Sequence, residues 1–142
     1  KWNSGAWDKF EETIDLLPSL DTRIVCRHTL VKGENMAKQH IPQYATLDNR
    51  ADPDFIECKG YVFVGHSREV LSIENMPSHD DILEFSEELA PMVGRRVLDD
   101  SRPSRVALVG KEIIPIPIPE KILEFPEDLG IAPPVKHLPL VR

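Results

Sequence analysis

Cysteine is scarce. Cys26 and Cys58 are the only two in 142 residues, too few for a disulfide framework, so a reducing, cytoplasmic location is the expectation. Two thiols also fall short of the three or four that usually hold an iron–sulfur cluster, and no zinc-ligand spacing appears, so no metal-ligating residue is assigned. Long apolar runs are missing: each is broken by charge or proline, which excludes a transmembrane helix and leaves no membrane partner. No basic segment leads into an apolar one at the start, so nothing reads as a signal peptide. None of the seven glycines sits in a dinucleotide or phosphate-binding loop. Positive charge is in deficit, 17 Lys+Arg against 24 Asp+Glu for a net charge of -7. That balance argues against general electrostatic attraction to nucleic acid, while leaving room for a local basic mouth.

What remains is 41% hydrophobic and 29% charged, the balance of a globular body of one domain. The chain opens at Lys1 without a methionine, which suggests a fragment or a processed product. Proline divides it unevenly. Pro115, Pro117, Pro119, Pro126, Pro133, Pro134 and Pro139 crowd the end, and the run IIPIPIPEK cannot continue a central strand because each proline removes a ladder donor. Residues 110–142 therefore read as an extended tail, and residues 1–109 as the folded body.

Within the body, helix and strand patterns alternate. Trp7, Phe10, Ile14 and Leu17 share one face of a helix that Pro18 stops. Arg23 to Val31 is rich in β-branched residues and predicts a strand, with Gly33 turning the chain after it. Pro42 suits the first turn of a short helix carrying Tyr44, Ala45 and Leu47. Asp54 to Val64 is the clearest strand. Ser78 and Asp81 form a capping-box pattern ahead of a helix through Ile82, Phe85 and Leu89 that Pro91 ends. Two short strands follow, near Arg96–Leu98 and Arg105–Val109. This order predicts an α/β fold with a largely parallel sheet. It also leaves the first helix without a strand to pack on, and too few strands for a closed barrel of about eight. The body reads as the C-terminal half of something larger.

Strand parity then sorts the side chains. Phe55, Glu57, Lys59, Tyr61 and Phe63 share one face; Ile56, Cys58, Gly60, Val62 and Val64 share the other, small and apolar as a helix-covered face requires. Glu57 and Lys59 are either a structural ion pair or part of a site at a strand end. Lys59 either binds a carboxylate electrostatically or attacks a ketone to form a Schiff base. On the other strand Arg27 and Thr29 face inward, as an anion or ribose grip or as a rim salt bridge, while His28 and Cys26 point toward the helices. Cys26 and Cys58 read as core thiols. In the long polar loop GHSREVLSIENMPSHDD, Ser67, Arg68, Asn75 and His79 are candidates for contact with a phosphate or a base. The competing reading of His79 is a water-exposed residue in the first turn of a helix.

Four segments in order carry a resemblance: WDKFEETIDLLPSLDTRIVCRHTLVKGENM, DPDFIECKGYVFVGHSR, ENMPSHDDILEFSEEL and SRPSRVALV. Over about residues 2–109 they resemble the C-terminal part of the tRNA 4-demethylwyosine synthases, radical S-adenosylmethionine enzymes of wybutosine biosynthesis. The resemblance implies the C-terminal half of a partial (β/α)6 radical-SAM TIM-like barrel, followed here by the Pro-rich tail. It implies a lyase that uses S-adenosylmethionine and a 4Fe-4S cluster to condense N1-methylguanosine of tRNA-Phe with pyruvate. Lys59 then fits the pyruvate-capturing lysine, with Glu57 beside it. Arg27, Thr29 and Asn35 match positions near S-adenosylmethionine, and Ser67, Arg68, Asn75 and His79 match a loop near tRNA or pyruvate.

The family's C-x-x-x-C-x-x-C cluster motif is absent from these 142 residues, and His28 replaces a usual isoleucine. The cluster ligands, and the N-terminal half of the barrel, are then expected from a truncated part of the same protein or from a companion chain, and this chain alone is expected to be inactive. Two other readings stand beside this one. The first is a Schiff-base aldolase-like barrel fragment in which Lys59 alone does the chemistry; the second is a non-catalytic fragment that binds tRNA or a partner.

Overall fold

The computed structural model describes residues 4–113. The Pro-rich tail falls almost entirely outside the described residues. The described chain runs α1 (Ser4–Leu16), β1 (Val25–Leu30), α2 (Ile41–Ala51), β2 (Phe55–Gly60), α3 (His79–Met92), β3 (Arg96–Ser101) and β4 (Val106–Gly110).

Local chemistry sets the helix ends. Pro42 lies in the first turn of α2, where its missing N–H costs nothing. The helix closes on Asp52 in a left-handed conformation, φ 38°. At α3 the capping box forms as the sequence predicts: Asp81 N donates to Ser78 Oγ at 3.1 Å, and Ser78 N donates to Asp81 Oδ2 at 2.8 Å. Pro91 sits in the last turn of α3, which stops one residue later at Met92.

The sheet order is β1-β2-β4-β3. β1 and β2 pair in parallel through the α2 crossover, whereas β4 pairs antiparallel with both β2 and β3. The expected largely parallel sheet is thus a mixed one. The reason is the short link Arg102–Arg105 between β3 and β4: a connection of four residues makes a hairpin, while a parallel pair needs a crossover of a dozen or more. β3 runs in the same direction as β2 but one place removed, and β4 fills the gap.

α2 and α3 cover one face of this sheet. Leu30, Ile56, Cys58, Ala107 and Val109 project into a core completed by Ile41 and Ala45 of α2 and by Ile82, Phe85, Leu89 and Ala90 of α3. α1 behaves differently from its pattern. Of the face predicted to be apolar and covered, Ile14 is buried, but Trp7 and Phe10 are 54% and 42% exposed and stack on each other at 5.1 Å. α1 packs on α2 rather than on a strand, held there by Arg50, which bonds Glu11 at 2.7 Å and Asp15 at 2.9 Å. No helix among the described residues is long and apolar enough to cross a membrane.

Candidate active site on the open face of the sheet

Because side chains alternate along a strand, burying Ile56 and Cys58 under the helices sends Glu57 and Lys59 to the opposite face, where both are half-buried. Register then sets their neighbours. One row across the sheet reads Arg27, Glu57, Leu108, Asp99; the next reads Thr29, Lys59, Val106, Ser101. The second row lies at the C-terminal ends of β1 and β2, the end at which α/β folds gather their chemistry.

The ion pair of Glu57 with Lys59, one of the two readings of these residues, does not form. Glu57 Oε2 accepts from Arg27 Nε at 2.8 Å and from Nη2 at 2.7 Å. Residues directly across a pair of strands lie about 5 Å apart, closer than two positions along one strand, and the guanidinium fork suits a carboxylate. Arg27 is therefore a cross-strand partner, the rim salt bridge of the two readings. Among the described residues Lys59 has no carboxylate partner: its Nζ donates instead to the Ser104 carbonyl at 3.1 Å, in the turn between β3 and β4.

The two asparagines are occupied by backbone. Leu30 O accepts from Tyr61 N across β1 and β2, so by alternation Thr29 O and Val31 N face the open edge of β1. Asn35 satisfies both, accepting from Val31 N at 2.7 Å and donating to Thr29 O at 2.9 Å. Its amide does for that edge what a neighbouring strand would do. Asn75 accepts from Ser72 N and donates to Lys32 O, each at 2.8 Å, and so ties the long loop to the end of β1. Thr29 is exposed on the open face.

In the loop, Ser67 Oγ bonds the Tyr61 hydroxyl at 2.8 Å and donates to Val64 O at 2.6 Å. The Arg68 guanidinium lies over the Phe63 ring at 5.2 Å and is exposed. His79 is not the water-exposed first-turn residue of the competing reading, and its Nδ1 is buried without a hydrogen-bond partner among the described residues. Its side chain is 2% exposed, packed between α3 and β3 with Nε2 bonded to Asp100 Oδ1 at 2.8 Å. Ser67 and Arg68 thus line the loop beyond β2, whereas His79 belongs to the packing.

The thiols lie on the covered side, as parity predicts. Burial pushes Cys58 up to about 11 and also raises Cys26, which silences both as nucleophiles near neutral pH. His28 faces the helices too, with Nε2 2.9 Å from Asp48 Oδ2 and its ring edge-on to Tyr44. A cavity of about 470 Å³ opens between α1 and α2; of the candidate residues only Asn35 lines it, so it is separate from the Lys59 row. Sequence reasoning missed Ser104 and Arg105. Both were visible in the segment SRPSRVALV, yet nothing in their residue types announces a backbone carbonyl aimed at a lysine.

A two-layer α/β domain with its polar face left open and a half-buried lysine at its strand ends has counterparts among known proteins. The chain matches the family described as wyosine base formation over residues 50–111. More particularly, it is 47% identical over 108 residues to the S-adenosyl-L-methionine-dependent tRNA 4-demethylwyosine synthase of Pyrococcus abyssi, covering 75% of this chain and 31% of that protein. A solved structure described as TYW1 with a lysine-pyruvate adduct bound superposes with a TM-score of 0.67 at 34% identity, over 78% of this chain and 35% of that one. A crystal structure of archaeal TYW1 gives a TM-score of 0.62 at 31% identity, over 77% and 33%. The chain thus spans about a third of the length of the curated relatives it matches.

Proposed function

We propose that this chain supplies the pyruvate-capturing part of a tRNA 4-demethylwyosine synthase, the enzyme that condenses N1-methylguanosine of tRNA-Phe with pyruvate. The observation that carries the reading is Lys59: a lysine without a carboxylate partner among the described residues, half-buried at the mouth end of the open sheet face. The likeness to a TYW1 structure holding a lysine-pyruvate adduct supports it. In the capture step the neutral Lys59 Nζ attacks C2 of pyruvate. The carbinolamine so formed loses water, and an imine joins the lysine to the three-carbon acid.

The open face is then the inner wall of a partial (β/α)6 barrel, completed by a part of the same protein outside this chain or by a companion chain. The open edge of β1 supports this, since Asn35 covers only its last backbone groups. Thr29 and Arg27 are the residues of this chain that would approach S-adenosylmethionine there, with Arg27 held by Glu57 and Asn35 shaping the strand end behind them. S-adenosylmethionine would supply the radical that activates the methyl group of the guanosine. Ser67 and Arg68 would meet the tRNA at the loop. A 4Fe-4S cluster does not fit this part: Cys26 and Cys58 face the helices, and among the described residues no group of three His, Cys, Asp or Glu could hold a metal ion. The chemistry assigned to this chain is carbonyl capture alone.

Borohydride reduction of the full chain in the presence of labelled pyruvate tests the reading. Lys59 should gain the mass of the reduced adduct, and Lys59→Ala should gain none. Labelling at a different lysine, with Lys59 unmodified, would remove Lys59 from the chemistry.

A further inference from the structure

We infer that the turn Arg102–Arg105 is the positioning element for Lys59, and that the left-handed backbone of Arg105 is what aims it. The inference rests on the reading of Lys59 as the capturing amine. Among the described residues only Asp52 and Arg105 have positive φ without being glycine. Asp52 closes helix α2, an ordinary use of that conformation. Arg105, at φ 47°, ends the hairpin loop between β3 and β4, where a left-handed residue has a place but glycine is the usual choice; a long L side chain there persists only when the surroundings over-determine it.

Those surroundings are visible. Arg105 N donates to Arg102 O at 3.1 Å and closes the turn, while Arg105 O accepts from Gly60 N at 2.8 Å and fixes the turn to the end of β2. Gly60 permits this approach. A Cβ at that position would stand 3.2 Å from Pro77 Cγ and 3.4 Å from Arg105 Cβ, so a larger residue would wedge the turn away from the strand.

The φ of Arg105 is the rotation about its own N–Cα bond. It therefore sets which way the preceding peptide faces, and with it the Ser104 carbonyl. In the left-handed state that carbonyl accepts from Lys59 Nζ at 3.1 Å. With Arg105 at negative φ and β4 held in register, the Ser104–Arg105 peptide turns over, and the carbonyl leaves the lysine. Lys59 would then keep its place on the sheet but lose the one acceptor that holds its flexible end among the described residues. Capture needs the amine within reach and correctly directed, so the turn acts on the encounter with pyruvate rather than on the fold.

Four substitutions separate backbone from side chain, because all remove the guanidinium and differ in their tolerance of positive φ. Arg105→Gly and Arg105→Asn accept it; Arg105→Ala resists it; Arg105→Val resists it most. In the full chain, the fraction of Lys59 trapped by borohydride is followed against pyruvate concentration, beside the thermal midpoint of each variant. Half-saturating pyruvate should stay within about twofold of wild type for glycine and asparagine, and rise by about fivefold or more for alanine and valine. If valine does not fold, glycine against alanine decides. Equal behaviour across the series, with wild-type Lys59 trapped normally, overturns the positioning role and leaves capture standing. Equal loss in all four assigns the effect to the guanidinium and also overturns it. No adduct on wild-type Lys59 removes the capture reading, and the positioning role falls with it.

Discussion

The two faces of the sheet are made from the same strands and share almost nothing else. On the covered face Leu30, Ile56, Cys58, Ala107 and Val109 are buried beneath α2 and α3. On the open face, one position along the same strands, stand Arg27, Thr29, Glu57, Lys59, Val106 and Leu108, each exposed or half-buried. The difference separates two tasks. The covered face removes apolar area from water and holds the strands in register, and in doing so it fixes the geometry of the open face without requiring that face to contribute stability. Among the described residues Lys59 has no carboxylate partner, and its place at the end of β2 is set by a strand whose other side is already packed.

The largest effects should fall on the covered side. Ile56→Ala should cost about 2–5 kcal/mol, as expected for a fully buried aliphatic residue, whereas Leu108→Ala on the open face should cost less than about 1.5 kcal/mol. Denaturant titration of both variants measures the contrast directly. Equal costs would mean that the open face is covered in solution.

Cys58 extends the contrast to pH. Burial raises its folded pKa to about 11, above that of the unfolded thiol near 9.0. A group whose folded pKa is raised contributes stability that is complete below the unfolded pKa and is lost as pH climbs through the folded one. Unfolding free energy should therefore fall by on the order of 2 kcal/mol between about pH 9 and pH 11. Cys58→Ala should flatten that decline relative to wild type. An unchanged slope in the variant would place the alkaline loss elsewhere.

How far the sequence discloses these arrangements depends on the range of the interaction concerned. The parity of β2 is legible because only one assignment puts Ile56, Cys58 and Gly60 on the same side, and the Ser78–Asp81 box is legible because its partners lie three residues apart. The strand order is not, since placing β4 between β2 and β3 is a choice made across the whole sheet. Glu57 could not be matched to Arg27 without the parallel register, so the only ion pair the sequence offered for it was with the nearer residue, Lys59, as one of two readings. Asn75 reads as a ligand contact from its place in the loop and Asn35 only through the resemblance; an amide is equally suited to a ligand or to a strand edge, and the backbone partners both amides hold are not visible in the sequence. Trp7 and Phe10 show the helical period, but a period does not say whether anything covers that face. The φ of Arg105 leaves no trace in the residue type at all.

Smaller effects belong to the open face. Arg27→Ala should change stability by no more than about 1 kcal/mol, because Arg27 is 58% exposed and its pair with Glu57 is open to solvent and salt. Denaturation at low and high ionic strength should bring wild type and variant together as salt rises. A larger, salt-independent cost would mean that Arg27 is desolvated by something packed on this face.

The smallest expected change in stability, close to zero, accompanies the most informative substitution. Lys59→Arg keeps a positive charge on a long stem, and its side chain can still donate to the Ser104 carbonyl, so denaturant and thermal midpoints should match wild type. A guanidinium does not form an imine under these conditions, however, and borohydride should leave the variant unlabelled. Covalent capture and electrostatic holding of pyruvate then make opposite demands. Placed in the Pyrococcus abyssi synthase in exchange for its matching segment, wild-type sequence should support base formation on tRNA. The Lys59→Arg version should fail if the imine is an intermediate and succeed in large part if the ammonium only binds the carboxylate of pyruvate. We expect failure, since a cation alone is available from arginine as readily as from lysine, and only lysine carries an amine that becomes nucleophilic on losing a single proton. Retained product with no adduct would keep Lys59 at the site and change its role from nucleophile to anion holder.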